Sequence, residues 1–378
     1  MTLPPSLPDD EARFRTDFRA WLASHLPFPP LPLDDDARVE FLSDWQRTLY
    51  DAGWMGASFP IDCGGRGLGP VFEAILSEEL GAAGAASPFH YGYVARVLTE
   101  WGSPEQRDRF VRPALRGDER WCQGFSEPDA GSDLASIRTR AIADRTDYVI
   151  TGQKVWTSRA HWSDWCFLLA RTGDPELRHH GLSCLIVPTD AKGLTIRPFR
   201  QMTGGLEFAE VFLDEVRVSS DALVGEVGNG WAVAMSTVAY ERGPADVGRV
   251  AELRRRVRNA AEVIKRRRLA KNDPLIEALA LVHLDVEVLA QHVLRGVRER
   301  ESGNAELSST SIDKLLVTGT EQALADFEMR AFGADALLGR APEVAWGYFE
   351  ARAASIYGGT SQVQRNILAN RVLGLPRA

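Results

Sequence analysis

Ile356-Tyr357-Gly358-Gly359-Thr360-Ser361-Gln362-Val363-Gln364-Arg365-Asn366, close to the end of a 378-residue chain, is its most informative stretch. Gly358 has no side chain and cannot take a proton. Two adjacent glycines also let a wide ligand approach the backbone closely. Upstream of this stretch, from Trp231, the chain is helical in pattern. Leu275, Leu279, Val282, Val286 and Leu289 form one apolar stripe, and Leu315, Leu316, Gly319, Ala323 and Phe327 another. Short breaks marked by Gly or Pro separate these segments, as in a helix bundle.

Further upstream the texture changes. From Trp121 to about Gly225, short apolar runs such as Trp165-Cys166-Phe167-Leu168-Leu169 and Leu182-Ser183-Cys184-Leu185-Ile186-Val187 alternate with Gly, Pro and Asp. These are strand signals, and their spacing predicts a small antiparallel barrel or sandwich. Residues 10–117 again read as helical. Phe14, Phe18, Trp21 and Leu22 recur at helical spacing, as do Val39, Leu42, Trp45 and Leu49. Ser103-Pro104-Glu105-Gln106 is a helix start and Gly117 a helix end. The expected class is α+β multidomain: a helical domain over 1–120, a β-domain over 121–225 and a helical bundle over 226–378.

Composition excludes several functions. The hydrophobic content of 44% and charged content of 25% are those of a globular protein. A formal charge of −8 argues against nucleic acid as a partner. No apolar run approaches the roughly 20 residues of a membrane span, and residues 1–10 have no signal-peptide pattern. Cys63, Cys122, Cys166 and Cys184 have no CxxC spacing and read as reduced, mostly core thiols of a cytoplasmic protein. The seven histidines do not cluster with cysteines or carboxylates, so no metal site is expected. The basic run Arg254-Arg255-Arg256, Arg258 and Lys265 to Arg268 reads as a solvated helix surface.

Three segments can carry chemistry. The loop Trp121-Cys122-Gln123-Gly124-Phe125-Ser126-Glu127-Pro128-Asp129-Ala130-Gly131-Ser132-Asp133 offers backbone N–H groups and hydroxyls that suit a flavin ring or a phosphate. Turn chemistry alone reads it as a plain capping turn. Gly152-Gln153-Lys154-Val155-Trp156-Thr157-Ser158 alternates like a strand, in which Trp156 could simply be core. Glu241, in Ala239-Tyr240-Glu241-Arg242-Gly243, is on charge pattern alone a solvated glutamate beside an arginine.

These segments together resemble the acyl-CoA dehydrogenases, and the likeness covers nearly the whole chain. The first loop is similar to the family's TEPGAGSD signature, with Asp129 where glycine is usual. The second is similar to NGxKxWIT, and the tail to the family's C-terminal signature. The resemblance implies FAD as cofactor, contacted by Gln123, Phe125, Ser126, Gly131, Ser132, Trp156, Thr157, Ser158, Thr360 and Gln362. It implies an acyl-CoA pocket lined by Ser132, Tyr357, Gly358 and Gly359. Many members carry the catalytic glutamate where Gly358 stands. The isovaleryl- and long-chain-type members carry it at the place of Glu241, with an arginine matching Arg242 beside it. The implied reaction is removal of the pro-R α proton by Glu241 and transfer of the β hydride to FAD. The product is a trans-2-enoyl-CoA, and the electrons pass on to an electron-transfer flavoprotein, as in β-oxidation and related lipid metabolism.

Two family motifs are degraded. RxxFG, which serves a neighbour's flavin pyrophosphate, reads Arg266-Arg267-Arg268-Leu269-Ala270-Lys271-Asn272-Asp273 here. FGGxG reads Phe332-Gly333-Ala334-Asp335-Ala336, and an aspartate repels a pyrophosphate. The resemblance therefore implies a tetramer, either of one chain or an α2β2 type in which a homologous subunit completes the flavin site. A non-catalytic partner subunit and an acyl-CoA oxidase are the alternative readings. The acyl group can be straight, branched, aromatic or steroid, and the base position favours bulky ones.

Overall fold

A computed structural model describes residues 9–32, 34–88, 92–240, 244–267, 273–302 and 310–376. The chain folds as two compact units. One comprises residues 1–29, 68–87 and 242–378, the other 30–67 and 88–241. Both units draw on helices from the N-terminal third.

The early helices form where the spacing predicts. They are α1 (Asp9–Ala23), α2 (Asp35–Asp51), α3 (Pro70–Ala83), α4 (Gly92–Trp101) and α5 (Pro104–Arg116). In α5 the Ser103 hydroxyl accepts from Gln106 N at 3.2 Å, and the Gln106 amide oxygen accepts from Ser103 N at 3.1 Å. This reciprocal cap satisfies two amides that the helix itself leaves bare.

Eight strands follow: β1 (Trp121–Gly124), β2 (Arg140–Asp144), β3 (Asp147–Ser158), β4 (Trp165–Arg171), β5 (Leu182–Pro188), β6 (Leu194–Phe199), β7 (Phe208–Ser219) and β8 (Leu223–Val224). They make one sheet in the order β6-β7-β3-β2-β4-β5-β8, with β1 joined to β4. The sheet is mixed, because β4 pairs in parallel with both β1 and β2. The remaining pairings are antiparallel. β4 explains its unbroken apolar run. Phe167 and Leu169 enter one core with Val94, Leu98, Leu115 and Val233, while Cys166, Leu168 and Ala170 enter another with Ile150, Val187 and Val211. A strand covered on both faces does not alternate.

The C-terminal helices are α6 (Gly230–Tyr240), α7 (Pro244–Arg267), α8 (Pro274–Glu301), α9 (Thr310–Phe332), α10 (Ala334–Leu337), α11 (Pro342–Ala353) and α12 (Ser361–Ile367). α6 belongs to the sheet unit; the others share the second unit with α1 and α3. α3 and α7 approach closely. A Cβ on Gly81 would collide with the Gly248 carbonyl, and one on Gly248 with Ser77. A side chain at either place would force the helices apart.

Two helical expectations need correction. The apolar stripe expected on α9 is only partly its buried face: Phe327 is buried, but Leu315, Leu316 and Ala323 are half-buried and Gly319 is exposed, while Asp313, Glu321 and Glu328 are buried beside Leu324. The basic run on α7 is not all solvated. Arg254 grips Glu287 of α8 through two bonds at 2.8 and 2.6 Å, and Arg256 grips Glu328 of α9. Arg249, earlier on α7, is bonded to Glu321. Buried carboxylates are tolerated when a guanidinium meets them in this way. Arg258, Lys265, Arg266 and Arg267 remain exposed.

Candidate active site

In the sheet unit, β1 leads directly into the first candidate loop. Gln123 sits on β1 opposite Phe167, half-buried. Phe125 is buried against Phe167, with ring centroids 6.2 Å apart. The Ser126 carbonyl accepts from Val155 N on β3 at 3.0 Å. Glu127 and Ala130 then close a tight turn through two backbone bonds of 3.0 and 3.1 Å. Pro128 and Asp129 occupy its exposed tip, where Asp129 faces the exposed Arg138 at 3.8 Å. Gly131 and Ser132 are exposed beyond it.

A buried ion pair that pattern reading did not single out holds this loop to β3. The Lys154 ammonium, fully buried, donates to Glu127 Oε1 at 2.8 Å and to the Phe125 carbonyl at 3.0 Å. The Glu127 carboxylate also accepts from the amides of Arg138 (2.6 Å) and Thr139 (2.9 Å). Burial alone would push the Glu127 carboxyl up, but Lys154 and these hydrogen bonds hold it below its ordinary value. Burial pulls the Lys154 ammonium below its usual range, with Glu127 opposing that pull. The available signal was a lysine on the same alternating face of β3 as the buried Tyr148 and Ile150.

Two residues beyond Lys154 the backbone of β3 departs from regularity. Its register against β7 slips between Lys154 and Thr157, and Trp156 has a φ of +58°. A positive φ is an outlier for so bulky a residue and stores about 1–3 kcal/mol of strain. The slip turns the Trp156 indole outward, where it is 60% exposed. Phe199 (5.1 Å, 82°) and Phe208 (5.8 Å, 83°) stand edge-on to it. Trp156 is therefore not a core residue. Thr157 is completely buried, and its hydroxyl has no partner among the described residues. Ser158 is exposed. A projecting indole, a hydroxyl without a protein partner and a pinned loop are a donor set that fits a flavin ring.

In the helical unit, the tail forms a closed loop between α11 and α12, with Ser361 N donating to the Ser355 carbonyl at 3.1 Å. Gly358 (φ +61°) and Gly359 (φ +87°) make its bend. Tyr357 is half-exposed, and the Lys314 ammonium lies 4.0 Å from its ring centroid. The Thr360 hydroxyl accepts from Val363 N at 3.2 Å, capping α12, and keeps its proton for donation. Gln362 is exposed. Gln364, another residue that pattern reading passed over, is buried inside the loop.

Glu241 and Arg242 lie outside the described residues. The residue before them, Tyr240, ends α6 and donates from its hydroxyl to Glu100 Oε2 at 2.9 Å. Burial, with Glu100 adding to it, pushes this phenol up to about 12. Of the two degraded motifs, residues 268–272 of the first likewise lie outside the described residues. Asp335 lies in α10, with its carboxylate 3.3 Å from Arg340. All four cysteines are buried and free. Among the described residues no His, Cys, Asp and Glu group is arranged to hold a metal, and no helix is long and apolar enough to cross a membrane.

Known proteins resemble the chain along its whole length. Family models of the acyl-CoA dehydrogenase N-terminal, middle and C-terminal domains match residues 8–118, 122–216 and 228–373. Acyl-CoA dehydrogenase IpdE1 of Mycobacterium tuberculosis is 40% identical over 386 residues, covering 97% of this chain and 98% of that protein. Among solved structures, the ChsE4-ChsE5 complex from Mycobacterium tuberculosis aligns with a TM-score of 0.84 at 28% identity over 100% of both chains. The Tcur3481-Tcur3483 steroid ACAD aligns with a TM-score of 0.84 at 27% identity, again over 100% of both.

Proposed function

The chain belongs to the acyl-CoA dehydrogenase family, whose cofactor is FAD, and from that premise we propose that it desaturates an acyl-CoA thioester between Cα and Cβ, with Glu241 as base. FAD, when bound, supplies the acceptor for the two electrons that leave Cβ. The chain's own residues do the rest. Glu241 takes the α proton, a task that calls for a carboxylate whose proton affinity is raised towards neutrality. The peptide N–H of Gly358 would donate to the thioester carbonyl as its oxygen gains charge, alongside a hydroxyl that bound FAD would supply. Phe125, Ser126, Trp156, Thr157 and Ser158 hold the flavin, with Thr157 giving it the hydroxyl that the protein leaves unused. Electrons leave to an electron-transfer flavoprotein.

The observation that carries this reading is the pinned pair of segments 125–130 and 154–158, whose exposed indole and unpartnered hydroxyl want a flat polar aromatic ligand. The double-glycine bend supports a wide acyl group, and the steroid-named relative of similar fold supports a polycyclic one. We assign the chain to an α2β2 assembly with a homologous subunit that completes the distal flavin contacts. Asp335 supports this, as do the two-chain ChsE4-ChsE5 and Tcur3481-Tcur3483 relatives of the same fold. Free, buried cysteines support a reducing, cytoplasmic setting.

The test is anaerobic titration of the purified protein, alone and with its homologous partner, using straight, branched, aromatic and steroid-side-chain CoA thioesters. Flavin bleaching in wild type that is lost in Glu241→Gln with FAD retained supports the reading. Bleaching that survives Glu241→Gln refutes the base assignment. Gly358 and Asp335 also favour a second reading, in which this is a non-catalytic subunit. That reading predicts unchanged activity of the two-chain complex in Glu241→Gln.

A further inference from the structure

We propose that Arg171 is a positioning residue for the acyl-CoA: its buried guanidinium locks residues 133–137 to the turn at 174–181 and so fixes the place of Ser132. The inference rests on the reaction proposed above and on the substrate contact that the family resemblance implies for Ser132. Arg171 ends β4 and is 6% exposed. Its Nη2 donates to the Ala135 carbonyl at 2.7 Å, its Nε to the Ile137 carbonyl at 3.1 Å and its Nη1 to the Arg178 carbonyl at 3.3 Å. A planar guanidinium fork suits three separate carbonyls, a geometry that the compact ammonium of a lysine does not match. Glu127 holds the same stretch of main chain by its other groups, accepting from the amides of Arg138 and Thr139. Residues 131–133 therefore hang between two fixed points. Ala130 is closed onto Glu127 by two backbone bonds, and the Asp133 carbonyl accepts from Ser136 N at 3.0 Å and from the Ser136 hydroxyl at 2.7 Å. Ser136 in turn lies between the two residues whose carbonyls Arg171 takes.

Two observations argue that packing is not its purpose. Among the described residues Arg171 meets no carboxylate, only main-chain carbonyls. A buried charge answered by carbonyl dipoles alone is costly, and a methionine would fill similar space without that penalty. The second observation is Arg178, whose carbonyl Arg171 holds at φ +43° and ψ −108°. A residue with a side chain keeps such a conformation only where its surroundings impose it, and such residues gather at ligand sites. The turn has no slack, since a Cβ on Gly181 would come within 2.9 Å of Arg171 Nη1. The Arg178 side chain reaches back to Asp133, with Nη2 donating to Oδ1 at 2.9 Å between two exposed groups. The buried charge and the strained peptide thus serve one exposed edge, made of Ser132, Asp133 and Arg178. A contact residue placed in this way binds without first having to be ordered.

The experiment uses FAD-loaded protein, in the two-chain complex if that is the active form. The probe is a 3-thia-acyl-CoA carrying the acyl group that best bleaches wild type. Such a thioester cannot be desaturated, so its affinity by isothermal titration is read apart from turnover. We expect Arg171→Lys to weaken the probe and raise KM roughly tenfold, with kcat and FAD content little changed. Ser132→Ala should do the same. Adding Arg171→Lys to Ser132→Ala should weaken the probe by no more than about twofold further, because the arginine acts through the serine. Arg178→Ala, which cuts only the exposed bond to Asp133 and spares the buried charge, should raise KM about threefold by the same route; it carries the test if Arg171→Lys does not fold. Wild-type probe affinity and KM in the folded variants overturn the proposal. So does a loss confined to FAD content or kcat, or full additivity with Ser132→Ala, the mark of an arginine that only supports the fold. If wild type neither binds nor is bleached by any thioester, the underlying reaction falls and the proposal with it. A wild type that binds and reacts beside unaffected variants sinks the proposal alone.

Discussion

Lys154→Met tests the pinning of the flavin loop. Methionine keeps most of the lysine's volume on β3 but removes its ammonium, which meets Glu127 at 2.8 Å and the Phe125 carbonyl at 3.0 Å. Breaking a buried ion pair from one side costs about 3–5 kcal/mol. The low end applies here, because Glu127 keeps its two amide donors from Arg138 and Thr139. With an m-value of about 3 kcal/mol per molar urea, a loss of about 3 kcal/mol lowers the unfolding midpoint by about 1 M. Glu127→Gln sits towards the high end, since Lys154 then has no counter-charge and the glutamine NH2 cannot accept from the amides of Arg138 and Thr139. The double variant should recover part of the loss, because neither charge is stranded. The assay is urea unfolding followed by circular dichroism on all four proteins, with bound FAD measured in each. FAD should fall with stability in both single variants, since the pair fixes Phe125 and Ser126. A Lys154→Met protein with a wild-type midpoint, or with additive losses in the double variant, refutes the reasoning.

Three more outcomes follow from the same geometry. Thr157→Val should leave the apoprotein as stable as wild type, or up to about 1 kcal/mol more so, and weaken FAD roughly five- to tenfold. Melting of the apoprotein and an FAD titration check this; a less stable apoprotein with unchanged FAD affinity would show that the hydroxyl is structural. Gly359→Ala should cost about 1–2 kcal/mol for the left-handed conformation alone, and displace Gln364 besides, so kcat should fall with it. A wild-type kcat in that variant would mean the bend tolerates movement. The third outcome concerns acid. Glu127 is held below its unfolded value of about 4.3, so its stabilisation is complete above that pH and is lost as pH falls through the lower folded value. Melting temperature should therefore drop on acidification in wild type, and this part of the drop should vanish in Glu127→Gln.

The fold was legible where one residue type answers one question. Helical spacing at Phe14, Phe18 and Leu22 gave α1, and the cap at Ser103 gave the first residue of α5. The β-domain was visible from its short apolar runs. The parallel joins at β4 were not, because strand direction depends on which strand lies alongside, and an unbroken apolar run carries no record of that. On α9 the apolar stripe found only part of the buried face, Phe327 but not Glu321 or Glu328. Glu321 and Glu328 look like surface residues until Arg249 and Arg256, 72 positions earlier, are known to reach them. Charge pairing across that separation has no local signature, and for the same reason the arginines of α7 read as solvated.

The candidate site divides along the same line. Trp156, Thr157 and the glycine bend stand out because they are unusual residues in short recognisable segments. Lys154, Glu127 and Gln364 sit inside those same segments and passed unnoticed, since each is an ordinary polar residue whose role appears only when its partner's position is known. Lys154 and Glu127 are 27 residues apart, yet they decide whether Phe125 and Ser126 have a fixed place relative to Trp156. This bears on Asp129. At the exposed tip of the turn that Glu127 anchors, its carboxylate faces Arg138 and takes no part in the pinning bonds. The loop can therefore depart from the usual glycine there without loosening. At Gly359 no comparable freedom exists, because a Cβ there would run into the Gln364 amide, which bonds the carbonyls of Gly358 and Gly359. Tolerance in these segments follows from what the neighbouring buried amide or ammonium must hold, and a substitution scan of 125–132 and 356–364 should find the steepest losses at Glu127, Gly359 and Gln364, with Asp129 nearly silent.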